Sequence, residues 1–158
     1  MSGMKDPQTN DWTRSFAAGA IGAVTLTSVH QLARQLTSNA PRMDVLGERA
    51  ITRSIRAAGG DPPPQHVLHR WALAGDLLAN SAYYSLVACG RQARVWPRAV
   101  VLGLAAGAGA LVLPPRMGLG EPPNSEHLSN RVMTVAWYLA GALAAAAAAR
   151  QLSPDATA

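Results

Sequence analysis

The sequence predicts an all-α integral membrane protein: four transmembrane helices, with one amphipathic interfacial helix between the first and second. Three observations carry this. Charged residues are 15% of the 158-residue chain, against roughly 25% in soluble domains. They avoid residues 15–33, 77–90, 99–115 and 132–149. Each stretch approaches the ~20 residues that cross a bilayer, the second only when extended back through Asp76. Trp12, Trp71 and Trp96 each stand at the start of a predicted span, where indole rings anchor at headgroup depth. Mean hydropathy is only +0.06, because Arg- and Pro-rich loops offset the apolar clusters.

The net charge of +5 does not point to nucleic acid. Apart from Lys5 the basic residues are all arginine. They flank apolar stretches, where anionic headgroups lie, and no aromatic-interleaved basic motif accompanies them. The single Cys89 can form no internal disulfide and has no metal-ligand spacing. Ser38-Asn39-Ala40 has the small residues of a signal-peptidase site, but Pro41 follows directly, so the first span is expected to remain as an anchor.

Residues 1–11 form a polar N-terminal tail, 12–152 a single membrane domain and 153–158 a C-terminal tail. Span one, about 15–36, has small residues in its first half, with Gly19 and Ala23 at the spacing of close helix packing. Its second half turns polar through Thr27, His30, Gln31 and Arg34. Pro41 stops the helix, and Asp44 is placed to cap the next. Residues 44–58 set Ile51, Ile55 and Ala58 against Arg49, Arg53 and Arg56, the pattern of a helix lying in the interface. Gly59-Gly60 ends it, and Asp61-Pro62-Pro63-Pro64 is a stiff connector.

Span two, about 69–89, carries polar groups where lipid tolerates them poorly. Residues seven and eleven apart share a helix face, so His69, Asp76, Asn80 and Tyr83 form one stripe. A carboxylate at mid-span must face protein, water or a partner. Span three, about 97–113, has Gly103 and Gly107 at packing spacing and is expected to break at Pro114-Pro115. The loop Arg116-Met117-Gly118-Leu119-Gly120 follows. Span four, about 129–150, holds Trp137-Tyr138 and the weakly hydrophobic run Ala144–Ala149. Pro41-Arg42-Met43-Asp44-Val45-Leu46-Gly47-Glu48 echoes Pro115-Arg116-Met117-Gly118-Leu119-Gly120-Glu121. If the echo records a duplication, the chain is two helical hairpins in tandem. Four spans put both termini and the 91–98 loop on one side, and arginines in that short loop favour the cytoplasm.

Leu113-Pro114-Pro115-Arg116-Met117-Gly118-Leu119-Gly120-Glu121-Pro122-Pro123 after a Gly/Ala-rich span, the histidine at the start of span two and Trp137-Tyr138 together resemble the YagU-like group of small bacterial inner-membrane proteins. The resemblance covers about the last hundred residues. It implies a multi-pass inner-membrane protein and brings no catalytic residues.

Asp76 is the sharpest candidate, either a proton- or cation-binding carboxylate beside Asn80 and His30, or an interhelical bond to His30 or Arg34 that fixes register. His30 and His69 are the only pair placed to ligate a haem between spans, which is thin support, so no cofactor or metal is expected. Nucleophile elbows, phosphate loops, zinc-protease helices and paired cysteines are all absent, so no enzyme is expected. The leading expectation is a non-catalytic scaffold or accessory subunit in the bilayer, meeting copies of itself or another membrane protein through small-residue helix faces. The alternative is a small transporter or channel subunit with its path along Asp76, Asn80, His30 and Tyr83. A membrane enzyme or haem carrier stands third.

Overall fold

The computed structural model describes residues 7–153, with side chains from residue 12 onward. Five α-helices follow one another: α1 (Pro7–Leu36), α2 (Asp44–Ala57), α3 (Gln65–Ala88), α4 (Val95–Arg116) and α5 (Leu128–Gln151). A single 3-10 turn, Gln92–Arg94, leads into α4. No strand occurs among the described residues.

Three helical stretches are long and apolar enough to cross a membrane: Trp12–Leu36, Gln92–Arg116 and Leu128–Gln151. At 24 residues α3 has the length, but His66, His69, Arg70, Asp76 and Asn80 lower its hydropathy, and it is not one of the three. α1 packs against both α3 and α5, α4 packs on α5, and α2 lies on α3.

Alanine dominates the buried core, with Tyr84, Val87 and Trp137 among the larger side chains inside. Ala18, Ala23, Ala99, Ala142, Ala145, Ala146 and Ala149 are buried, whereas Phe16, Ile21, Val24, Leu78, Leu86, Val101, Leu104 and Val132 are exposed on the lone chain. Water would penalise this arrangement, because large apolar groups gain most from burial. In lipid the outward side chains meet acyl tails, and small inward residues let helix backbones approach. The alanine run of α5 is therefore a packing surface. The alanine run does not disqualify α5, since Leu128–Gln151 is one of the three stretches apolar enough to cross a membrane.

The small residues singled out in the sequence make these approaches inside the chain. A Cβ on Gly19 would strike the backbone carbonyl of Ser81 and lie 2.6 Å from the Ser85 nitrogen. One on Gly103 would come within 2.9 Å of the Leu139 Cα, and one on Gly107 within 2.7 Å of the Val135 Cα. Ala23 is fully buried. The Gly103 and Gly107 contacts join α4 to α5; Gly19 meets the second half of α3, and Thr27 and His30 lie beside its first half around Ala72 and Asp76, so α1 and α3 run antiparallel.

Two expectations about helix ends are corrected. The helix does not break at Pro114-Pro115 but runs to Arg116, with both prolines inside its last turn. Each proline gives up its own N–H and crowds the carbonyl four residues back, but its own carbonyl can still accept. The end is closed by Leu119 N donating to Pro114 O at 2.9 Å and Gly118 N to Pro115 O at 3.0 Å, a Schellman arrangement that places Gly118 at φ +72°. Asp44 does not cap α2 either. The cap position is Met43, with no side-chain hydrogen bond, and Asp44 turns to arginines instead. The two echoed segments also differ in conformation. Pro41-Arg42 lead into α2, whereas Pro115-Arg116 end α4.

Candidate functional site

α1 leaves its polar second half facing α2 and α3. Arg34 Nη1 donates to Asp44 Oδ2 at 3.0 Å, and Arg42 donates to the same carboxylate at 3.1 and 3.3 Å. His30 Nε2 meets the Pro41 carbonyl at 3.0 Å, and its ring lies 5.0 Å from that of Trp137. On α2, one turn past Asp44, Glu48 accepts from Gln65 at 2.6 Å and meets His69 Nδ1 at 2.8 Å. The donor atoms of Asp44, Glu48 and His69 lie within 4.8 Å of one another, close enough to share a metal ion. Asp44 is already balanced by two guanidinium groups, however, and Glu48 already has two partners. The cluster is built as an ion-pair knot joining α1, α2 and α3.

Burial pushes the Asp44 carboxyl upward, but the Arg42 hydrogen bond and the charges of Arg34, Arg42 and His30 outweigh it and hold the group below its ordinary value. With the folded pKa below the unfolded ~3.9, this contribution is complete above the unfolded value and is lost as pH falls through the folded one. Asp44→Asn is expected to cost about 2 kcal/mol at pH 7, between exposed and fully buried pairs. The variant should also show a shallower loss of stability below pH 4 than the wild type, measured by thermal unfolding in detergent across that range.

Beside the knot, α1, α2 and α3 enclose a cavity of about 60 Å³, lined by Thr27, His30, Gln31, Asp44, His69 and Asp76. A single water needs roughly 10–15 Å³ of such space, so the cavity has room for a few waters or a small ion. Thr27 Oγ1 is the one buried side-chain oxygen or nitrogen among the described residues without a hydrogen-bond partner. Such an atom calls for an occupant.

Asp76 stands at the midpoint of α3 and accepts from Asn80 Nδ2 at 2.9 Å. The expected partners are elsewhere: Arg34 is on Asp44, and His30 is on Pro41. Among the described residues, Asp76 has no cationic partner within ion-pair distance. Thus His30, His69 and Asp76 come together around the cavity, with Asn80 held to Asp76. Tyr83 does not join them. Its hydroxyl donates to the Leu102 carbonyl of α4 at 2.9 Å, and the fully buried Tyr84 donates to Tyr138 O of α5 at 2.8 Å.

The loop residues serve this end of the bundle. Arg42 N donates to Pro123 O at 3.0 Å, and Asn130 Nδ2 donates to Asn39 O at 2.9 Å and Asn124 O at 2.6 Å. Arg49 Nη1 donates to Leu119 O and Glu121 O, each at 3.0 Å, and Arg53 Nη1 to Met117 O at 2.8 Å. Two of the three arginines expected to face headgroups thus also hold the 117–121 segment, packing beside Gly118 and Gly120. Their regular spacing on α2 was visible in the sequence; their target was not, since nothing local marks which loop docks there. No family model matches this chain, and neither does any curated protein or solved structure.

Proposed function

We propose that this chain is a non-enzymatic, multi-pass protein of the bacterial inner membrane in which α3 forms a fourth span and the α1–α3 seam binds a small cation or proton, as a transporter or channel subunit does. The observation that carries the reading is Asp76: a mid-helix carboxylate, exposed on the lone chain, whose one partner among the described residues is Asn80, on a cavity that also holds the Thr27 hydroxyl, unpartnered among the same residues. A charge at that depth is costly unless it faces water or a counter-ion. Arg34 and Arg42 are both spent on Asp44, so among the described residues Asp76 is the cavity carboxylate without an ion-pair partner. The same side of α3 is exposed on the lone chain, and four helices enclose little volume, so the reading includes a second copy or lipid completing the seam.

A scaffold acting through small-residue faces is less well supported, because Gly19, Gly103 and Gly107 are already pressed against neighbouring helices of the same chain. The inner-membrane location and cytoplasmic termini follow from the YagU-like resemblance and the arginine-bearing 91–98 loop.

The test is proton or sodium flux into proteoliposomes, driven by an imposed potential and followed with a pH- or sodium-sensitive dye. Wild type is expected to conduct above empty vesicles. Asp76→Asn, which keeps the shape and the Asn80 contact, should retain a wild-type or higher thermal midpoint and lose at least tenfold in flux. Equal flux in the variant, or a wild type no leakier than empty vesicles, contradicts the reading.

A further inference from the structure

We propose that an open groove between α2 and the first turn of α3 seats the phosphate of an anionic phospholipid headgroup. The groove measures about 620 Å³ and is lined by Arg49, Arg53 and Arg56, with Val45 and Leu68 among its walls. This rests on the membrane reading above but not on the role of Asp76.

Charge and pre-organisation point the same way. Arg49 and Arg53 each spend one nitrogen, Nη1, on carbonyls of the 117–121 segment. Those bonds fix the guanidinium planes while their Nε and Nη2 donors remain without a protein acceptor among the described residues. Arg56, one turn on, is exposed and has no described partner. The one carboxylate on the groove is Glu48, and both its oxygens are taken by Gln65 and His69. Three guanidinium groups therefore share the groove with a single carboxylate, a local excess of positive charge. Planar guanidinium forks suit phosphate oxygens.

Depth selects the lipid over soluble phosphate. α2 begins where α1 ends, and its arginines hold the segment leaving α4; α1 and α4 both contain candidate membrane stretches. The groove thus opens at the mouth of the spans, at headgroup level. Val45 and Leu68 provide apolar wall for the first methylenes below a headgroup, which inorganic phosphate would leave unused.

The test titrates the purified full chain in neutral detergent with phosphatidylglycerol, phosphatidylcholine or inorganic phosphate, reading the thermal midpoint. Phosphatidylglycerol is expected to raise the midpoint saturably, with little response to the other two. Arg56→Gln should weaken the apparent affinity for phosphatidylglycerol about fivefold, the effect of one basic residue near an anionic surface. Arg56→Lys should keep most of it. Arg150→Gln removes the same charge at the opposite end of the bundle and should change nothing. Equal responses to the two lipids, a match by inorganic phosphate, or equal losses in Arg56→Gln and Arg150→Gln would each overturn the proposal. A normal phosphatidylglycerol response with no flux removes the Asp76 seam alone, and the reverse pattern removes the groove alone.

Discussion

Gly19→Leu is expected to prevent α1 and α3 from closing, and Gly19→Ala to destabilise the protein by about 3 kcal/mol, the upper part of the range for overpacked sites. The added Cβ would meet the Ser81 carbonyl and the Ser85 nitrogen. Both are backbone atoms inside a helix, so no side chain can rotate away and the whole of α3 must shift. That shift would open the cavity that Asp76 lines, because the same two helices wall it. The control is Gly75→Ala, where a Cβ meets nothing within 4 Å; helix propensity makes that change neutral or favourable by up to about 1 kcal/mol. Thermal unfolding and protease resistance in mild detergent should separate the two variants clearly.

Arg98→Ala is expected to cost about 3 kcal/mol. Its guanidinium donates to Val87 O at 2.7 Å, to Cys89 O, and to Arg91 O at 3.1 Å. These include carbonyls at the end of α3 that have no intrahelical partner. Hydrogen bonds from a charged donor contribute about 1.5–3 kcal/mol each, with overlap when one group serves several. Arg98→Lys keeps the charge but lacks the planar fork, and is expected to recover less than half of the loss. Unfolding midpoints measured for both variants under one detergent condition provide the check. Equal stability of Arg98→Ala and wild type would mean that water satisfies those carbonyls.

The helical character of the chain was legible because charge-free stretches and helical spacing are local properties. The amphipathic face of α2 was legible for the same reason, and so was the Asp76–Asn80 contact, which depends only on a separation of four residues on one helix. What could not be read was which neighbour each face meets. Tyr83 lies on the same stripe as Asp76, yet its long side chain reaches α4, and that direction depends on how α4 packs. Glu48 and His69 are joined across a proline connector whose path no local pattern fixes. The alanine run of α5 looked weak as a lipid-facing span; once α1 and α4 press on it, small side chains are what the contact requires. Pro114 and Pro115 suggested a break, because a terminal turn that closes through Leu119 and Gly118 is visible only in three dimensions.

The central claim is that α3 crosses the membrane with Asp76 at mid-depth, and side-specific labelling tests it most directly. In a Cys89→Ser background, Asp61→Cys and Ala93→Cys place single thiols at exposed positions on either side of α3. An impermeant maleimide is then applied to sealed right-side-out and inverted vesicles. The account predicts opposite labelling patterns, with Asp61→Cys reached from one face and Ala93→Cys only from the other. If both thiols are labelled from the same face, α3 does not span the bilayer and the intramembrane seam around Asp76 is excluded.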